Sequence, residues 1–146
     1  MAIDRHGTGL AITRACIGAF FLAEGLSKYR WLTDPSMLVG QLSGWAQSAP
    51  PGSLHAQYVQ HVALPWAVYF ARLVPLGEMT CGLAMLIGVW TSLAAAVAFL
   101  MALNFQFASG ALFGLAFLTS GYGLPVLGST LGLAVGGVRL PWSVRS

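Results

Sequence analysis

TSLAAAVAFLMALNFQFASGALFGLAFLTSGYGLPVLGSTLGLAVGGV, residues 91–138, contains no Asp, Glu, Lys or Arg. A water-soluble domain would have to build its surface from that stretch, whereas about 20 apolar residues in succession are what one crossing of a bilayer core requires. The rest of the composition agrees, with 57% hydrophobic and 8% charged residues and a mean hydropathy of +0.75. The chain reads as an integral membrane protein, and its 146 residues leave room for one small helical bundle.

Working outward from that stretch, it divides into a third span over about 91–107 and a fourth within 111–138, where Gly121, Gly123 and Pro125 interrupt the pattern. A second span covers about 66–89, with Pro75 as an internal kink and Arg72 and Glu78 inside it. The first covers about 8–27 and contains Arg14 and Glu24; it ends in Glu24 and Lys28 without a small-residue cleavage pattern, so it reads as a retained span. Between spans 1 and 2 lies the one long loop. Asp34 followed by Pro35 opens a helix over about 35–47, and Leu38, Leu42 and Trp45 share a face suited to a membrane surface. Pro50-Pro51-Gly52 ends it, and Ser53 caps a second short helix over about 53–64. The expected fold is therefore all-α: one membrane domain over 1–146, a four-helix bundle with a short amphipathic helical loop between spans 1 and 2. Arg5, Arg139 and Arg145 outweigh Lys28 and Arg30, which favours termini in the cytoplasm of a bacterial inner membrane.

Composition excludes several classes. A net charge of +3 without a clustered basic face argues against nucleic acid as a partner. Cys16 and Cys81 form no CxxC and are expected to be reduced, buried and inert. His6, His55 and His61 all fall outside the spans, so no pair clamps a haem between helices. No metal-spaced cluster, P-loop or Ser/His/Asp set is present, so no metal and no covalently bound cofactor is expected.

Charges at membrane depth are costly and seldom kept without partners. At about 1.5 Å per residue, Arg14 lies roughly 9 Å and Glu78 roughly 16 Å from the terminal side, while Glu24 and Arg72 both lie within roughly 6–9 Å of the loop side. The expected pairs are Arg14 with Glu78 and Glu24 with Arg72, and a purely structural clamp between two helices accounts for them as well as a site does. Lys28, Asn104 and Gln106 reach the same loop-side level. With Glu24, Arg72 and Glu78 they outline a polar patch beneath the amphipathic loop, suited to an anion or a quinone head group. Asn104 alone is equally an interhelical hydrogen bond. Gly128, Gly132 and Gly136 recur every fourth residue, as do Ala94, Ala98 and Ala102; such stripes serve helix packing within the bundle or a face for another subunit.

Three motifs carry a resemblance: Arg14-x-x-Ile17-Gly18-x-x-Phe21-Leu22-x-x-Gly25-x-x-Lys28, Gly77-Glu78-x-x-x-Gly82-Leu83-x-x-x-Ile87-Gly88, and Asn104-Phe105-Gln106-Phe107-Ala108-Ser109-Gly110. Together they are similar to the DoxX family, which includes the DoxD-type thiosulfate:quinone oxidoreductase subunit, with Arg14, Lys28, Glu78 and Asn104 at matching positions. The resemblance implies a four-helix membrane protein tied to quinone or redox complexes. The expected function is a small subunit of a quinone-linked oxidoreductase or electron-transport complex, with quinone as its candidate cofactor. If the chain is enzymatic at all, it acts as part of such an assembly. The alternative is a non-catalytic accessory subunit that packs through Gly128, Gly132 and Gly136 against a larger respiratory or photosynthetic complex. Expected partners are lipid and other membrane subunits or further copies of the chain.

Overall fold

The computed structural model describes residues 5–144, and every regular element among them is helical. In chain order these are α1 (Arg5–Ser27), α2 (Ser36–Ser48), α3 (Leu54–Tyr58), α4 (Ala67–Ile87), α5 (Thr91–Ala108), α6 (Ala116–Thr119) and α7 (Leu124–Gly136). Three of them, α1, α4 and α5, are long and apolar enough to cross a membrane.

The stretch 111–138 does not form one span. It holds a 3-10 turn over Ala111–Phe113, the single turn of α6, and α7. Gly110, at φ +76°, stops the preceding helix, and a side chain at Gly123 would strike the Phe117 carbonyl. Pro125 then supplies the preset φ of a helix start. The 13 residues of α7 reach about 20 Å, against a hydrocarbon core of about 30 Å.

The helices pair by close backbone approach. An ideal Cβ on Gly82 would lie 2.4 Å from the Leu22 backbone N, and one on Gly18 would lie 3.0 Å from the Gly82 carbonyl oxygen. Further along, a Cβ on Gly25 would lie 2.8 Å from the Pro75 carbonyl oxygen. Glycine at these positions sets how near α1 and α4 approach and how they are staggered. On the other side, Ala94, Ala95 and Ala98 of α5 are buried with Met85 of α4 and Leu133 of α7 in one core.

The alternative that Gly128, Gly132 and Gly136 pack inside the bundle is corrected. A Cβ on Gly128 or Gly132 would meet nothing within 4 Å, and one on Gly136 only the tip of Leu10 at 3.4 Å. All three are exposed, because α7 turns Val126, Leu127, Thr130 and Leu133 inward instead.

The loop-side segment forms a second core. Asp34 Oδ1 accepts the Ser36 N–H at 3.0 Å and so starts α2. Leu38 and Leu42 are the buried residues of α2, and Trp45 meets Phe105 edge-on with ring centres 5.0 Å apart. α3 runs into a π turn over Val59–Ala63, which brings Val59 and Ala63 against Trp31, Ala67 and Ala108. This second core closes the loop-side end of α4 and α5.

Candidate functional site

Lys28 sits just past the end of α1, and side chains on a helix lean toward its N-terminus. Its ammonium therefore reaches back one turn to Glu24, with Nζ 2.8 Å from Glu24 Oε2. From there it also bridges to α4, donating to Glu78 Oε1 at 3.0 Å and Oε2 at 2.9 Å. Lys28 and Glu78 are nearly enclosed, with side-chain exposures of 12% and 11%. A cation between two carboxylates leaves the group with one net negative charge.

The paired arrangement expected from depth counting is corrected on both sides. Arg14 does not meet Glu78. It is buried opposite Gly88, donating to the Ser143 hydroxyl and, at 3.0 Å, to the Trp142 carbonyl. The glycine stagger is the cause: α1 extends past the end of α4 on the terminal side, so Arg14 faces the end of α4 and not its middle. Arg72 does not meet Glu24 either. It is exposed, about one turn from the exposed ring of Tyr69 and nearly two from that of Trp66 at the start of α4, the setting of an interfacial belt where an Arg head group extends to water. Cys81 is buried, whereas Cys16 is exposed on the outer face of α1.

Glu24, Lys28, Glu78, Asn104 and Gln106 do come together. They border one cavity of about 370 Å³, whose walls include Phe20, Phe21, Phe70, Val74 and Phe105. The same cavity is bordered by Leu73 of α4 and by Val97 and Leu100 of α5. Those three side chains are exposed and belong to membrane-length helices, so the cavity opens sideways, toward acyl chains. Its polar end is held by α1, α4 and the turn before α7.

Two participants have no counterpart among the sequence candidates. Tyr122, in the Gly-Tyr-Gly turn before α7, donates its hydroxyl to Glu24 Oε1 at 3.2 Å, and its carbonyl accepts the Gln106 side-chain N–H at 2.9 Å. The Glu24 charge, reinforced by that hydrogen bond, pushes the Tyr122 phenol above its usual range, which keeps it protonated and donating. Tyr58 donates to Asn104 Oδ1 and so ties the loop-side core to the rim of the cavity. A tyrosine between two glycines reads as a helix break, and nothing in its spacing marks a site. Among the described residues no cluster of three His, Cys, Asp or Glu side chains could hold a metal ion.

The family model described as DoxX matches residues 9–111. The chain belongs to the DoxX family. The match runs from the first turns of α1 to just beyond α5 and takes in Arg14, Glu24, Lys28, Glu78, Asn104 and Gln106; α7 and Tyr122 lie outside it. No curated protein and no solved structure matches the chain.

Proposed function

We propose that this DoxX-family protein binds the head group of a membrane quinone in the lateral cavity and serves as a small subunit of a quinone-linked oxidoreductase or electron-transport complex. The observation that carries this reading is the cavity itself: apolar and aromatic walls, an opening toward lipid, and a charged, hydrogen-bonded end at Glu24, Lys28, Glu78 and Tyr122. An apolar pocket with a few convergent polar groups is the form that small-molecule sites take. A lipid-soluble ring with polar oxygens at one end suits it better than a free anion, because the polar end carries net negative charge. Arg72, the attractant for an anion, stands outside.

In the same proposal, α7 is the fourth crossing of a four-helix bundle. Tyr122 before it contacts Glu24, and Ser143 after it contacts Arg14, so the segment passes along the middle of α1 between those two residues. The bilayer is that of a bacterial inner membrane, with both ends of the chain in the cytoplasm.

Isolation in mild detergent, followed by extraction and mass analysis of what remains bound, tests the reading. A quinone is expected at close to one per protein, and Leu100→Trp, which fills the lateral opening, should reduce it to background. Lipid alone in the wild-type extract would contradict it. The accessory reading, association through Gly128 and Gly132 with a larger complex, is favoured by one observation: both glycines face outward over open space. Its partner is a further membrane subunit or another copy of the chain, and the two readings are compatible.

A further inference from the structure

The charges that border the cavity do not balance. Glu24 and Glu78 bring two negative charges and Lys28 one positive, and among the described residues no other Lys or Arg forms an ion pair with either carboxylate. Arg14 is engaged by Ser143 and Trp142 nearer the start of α1, and Arg72 is exposed and not among the bordering residues. One negative charge is left over at membrane depth, where an uncompensated charge is costly. The donors are spent as well. All three hydrogens of the Lys28 ammonium go to Glu24 and Glu78, and the Tyr122 hydroxyl gives its hydrogen to Glu24 Oε1. The carboxylates keep acceptor capacity, since an ionised carboxyl offers about four lone-pair sites. Glu24 is the more open of the two, with 26% of its side chain exposed against 11% for Glu78.

Aromatic faces adjoin that carboxylate. Phe20 precedes Glu24 by one turn on the same face of α1, and both border the cavity. The Phe20 ring packs against that of Tyr122, with centres 5.5 Å apart, and Phe21, Phe70 and Phe105 complete the aromatic part of the wall. The faces of such rings attract cations, and quaternary ammonium groups are recognised by aromatic cages.

We propose that the cavity binds a lipophilic organic cation, a quaternary ammonium on an apolar body, drawn from the bilayer with its charged centre against Glu24 and the rings of Phe20 and Tyr122. The inference goes beyond the quinone reading and does not rest on it, since a quinone is uncharged and leaves the surplus charge in place. A hydrated inorganic cation fits less well, because the exposed border at Leu73, Val97 and Leu100 is apolar. A quaternary ammonium has no N–H to satisfy and brings apolar surface of its own.

Equilibrium dialysis of the protein in phosphatidylcholine nanodiscs against benzyltrimethylammonium and neopentylbenzene, its neutral isostere with carbon in place of nitrogen, reads the preference once corrected with empty nanodiscs. The wild type should bind the ammonium saturably, at one per protein, and about tenfold more tightly than the isostere. Glu24→Gln, which removes the surplus charge, should bring the two affinities to within about twofold, while Glu24→Asp keeps the charge and the preference. Phe20→Leu, outside the ion cluster, should lower the ratio about threefold. The ratio is the readout because a merely structural role for either residue would weaken both ligands alike, and Phe20→Leu carries the test if Glu24→Gln does not assemble. Equal affinities in the wild type, no saturable binding of the ammonium, or a ratio that neither Glu24→Gln nor Phe20→Leu changes would overturn the inference.

Discussion

One lysine holds two carboxylates together at the cavity. Lys28 stands between Glu24 and Glu78 at 2.8 and 2.9 Å, so its removal strands two like charges in a largely enclosed place. Lys28→Met should cost about 3–5 kcal/mol, the range for breaking a buried pair from one side. Arg72→Ala, at an exposed position, should change stability by no more than about 0.5 kcal/mol. Unfolding of each variant in mixed micelles checks both; equal losses would contradict the assignment. The residue types of the site were legible in the sequence, since charges and amides at membrane depth stand out. Their partners were not. Depth counting assumes that two helices begin level, and it assigned Glu78 to Arg14 when Lys28, leaning back from the helix end, was nearer. The level of Gln106 in the membrane is readable from its place in the chain; the bond that orients its amide depends on Tyr122, which only the folded turn brings to it.

Among the helices, the α1–α4 seam fixes everything the site depends on. Gly18, Gly25 and Gly82 lie within the family-like motifs, yet the regular fourth-residue glycine spacing belongs to Gly128, Gly132 and Gly136. Spacing alone does not say which glycine face meets a neighbour, because an apolar helix in lipid has no polar side to orient it. Substitution separates the two sets. Gly82→Leu places side-chain atoms where the α1 backbone already lies, 2.4 Å from Leu22 N, and should destabilise the fold by about 3 kcal/mol or shift the helices apart. A Cβ at Gly132 meets nothing within 4 Å, and Gly132→Leu should leave the isolated protein's thermal midpoint unchanged. If α7 faces another subunit, the same substitution should release that subunit in native electrophoresis. A large loss of midpoint in Gly132→Leu alone would contradict the outward placement of the stripe. The fourth element was the least legible, because Gly121, Gly123 and Pro125 permit several starts. The structure selects Leu124 through the turn that carries Tyr122.

At the scale of the whole molecule, three membrane-length helices and the shorter α7 border one cavity, whose rim at Asn104 is tied to α3 through Tyr58. Composition made the membrane assignment plain, since so little charge is present to cover a surface. The cavity could not be read that way: residues of α1, α4, α5, α7 and the turn before α7 border it, and no single segment encodes it. The exposed side chains of Leu73, Val97 and Leu100 at its border are where a molecule dissolved in the bilayer would enter under the proposed function. The most direct measurement is therefore photolabelling of the membrane-embedded protein with an azido-ubiquinone, followed by peptide mapping. Label is expected on the cavity residues of α4 and α5, Leu73, Val97, Leu100 and Met101 among them, displaced by excess unlabelled decylubiquinone. Label spread over the outer faces of α1 and α7, and undiminished by competitor, would contradict it.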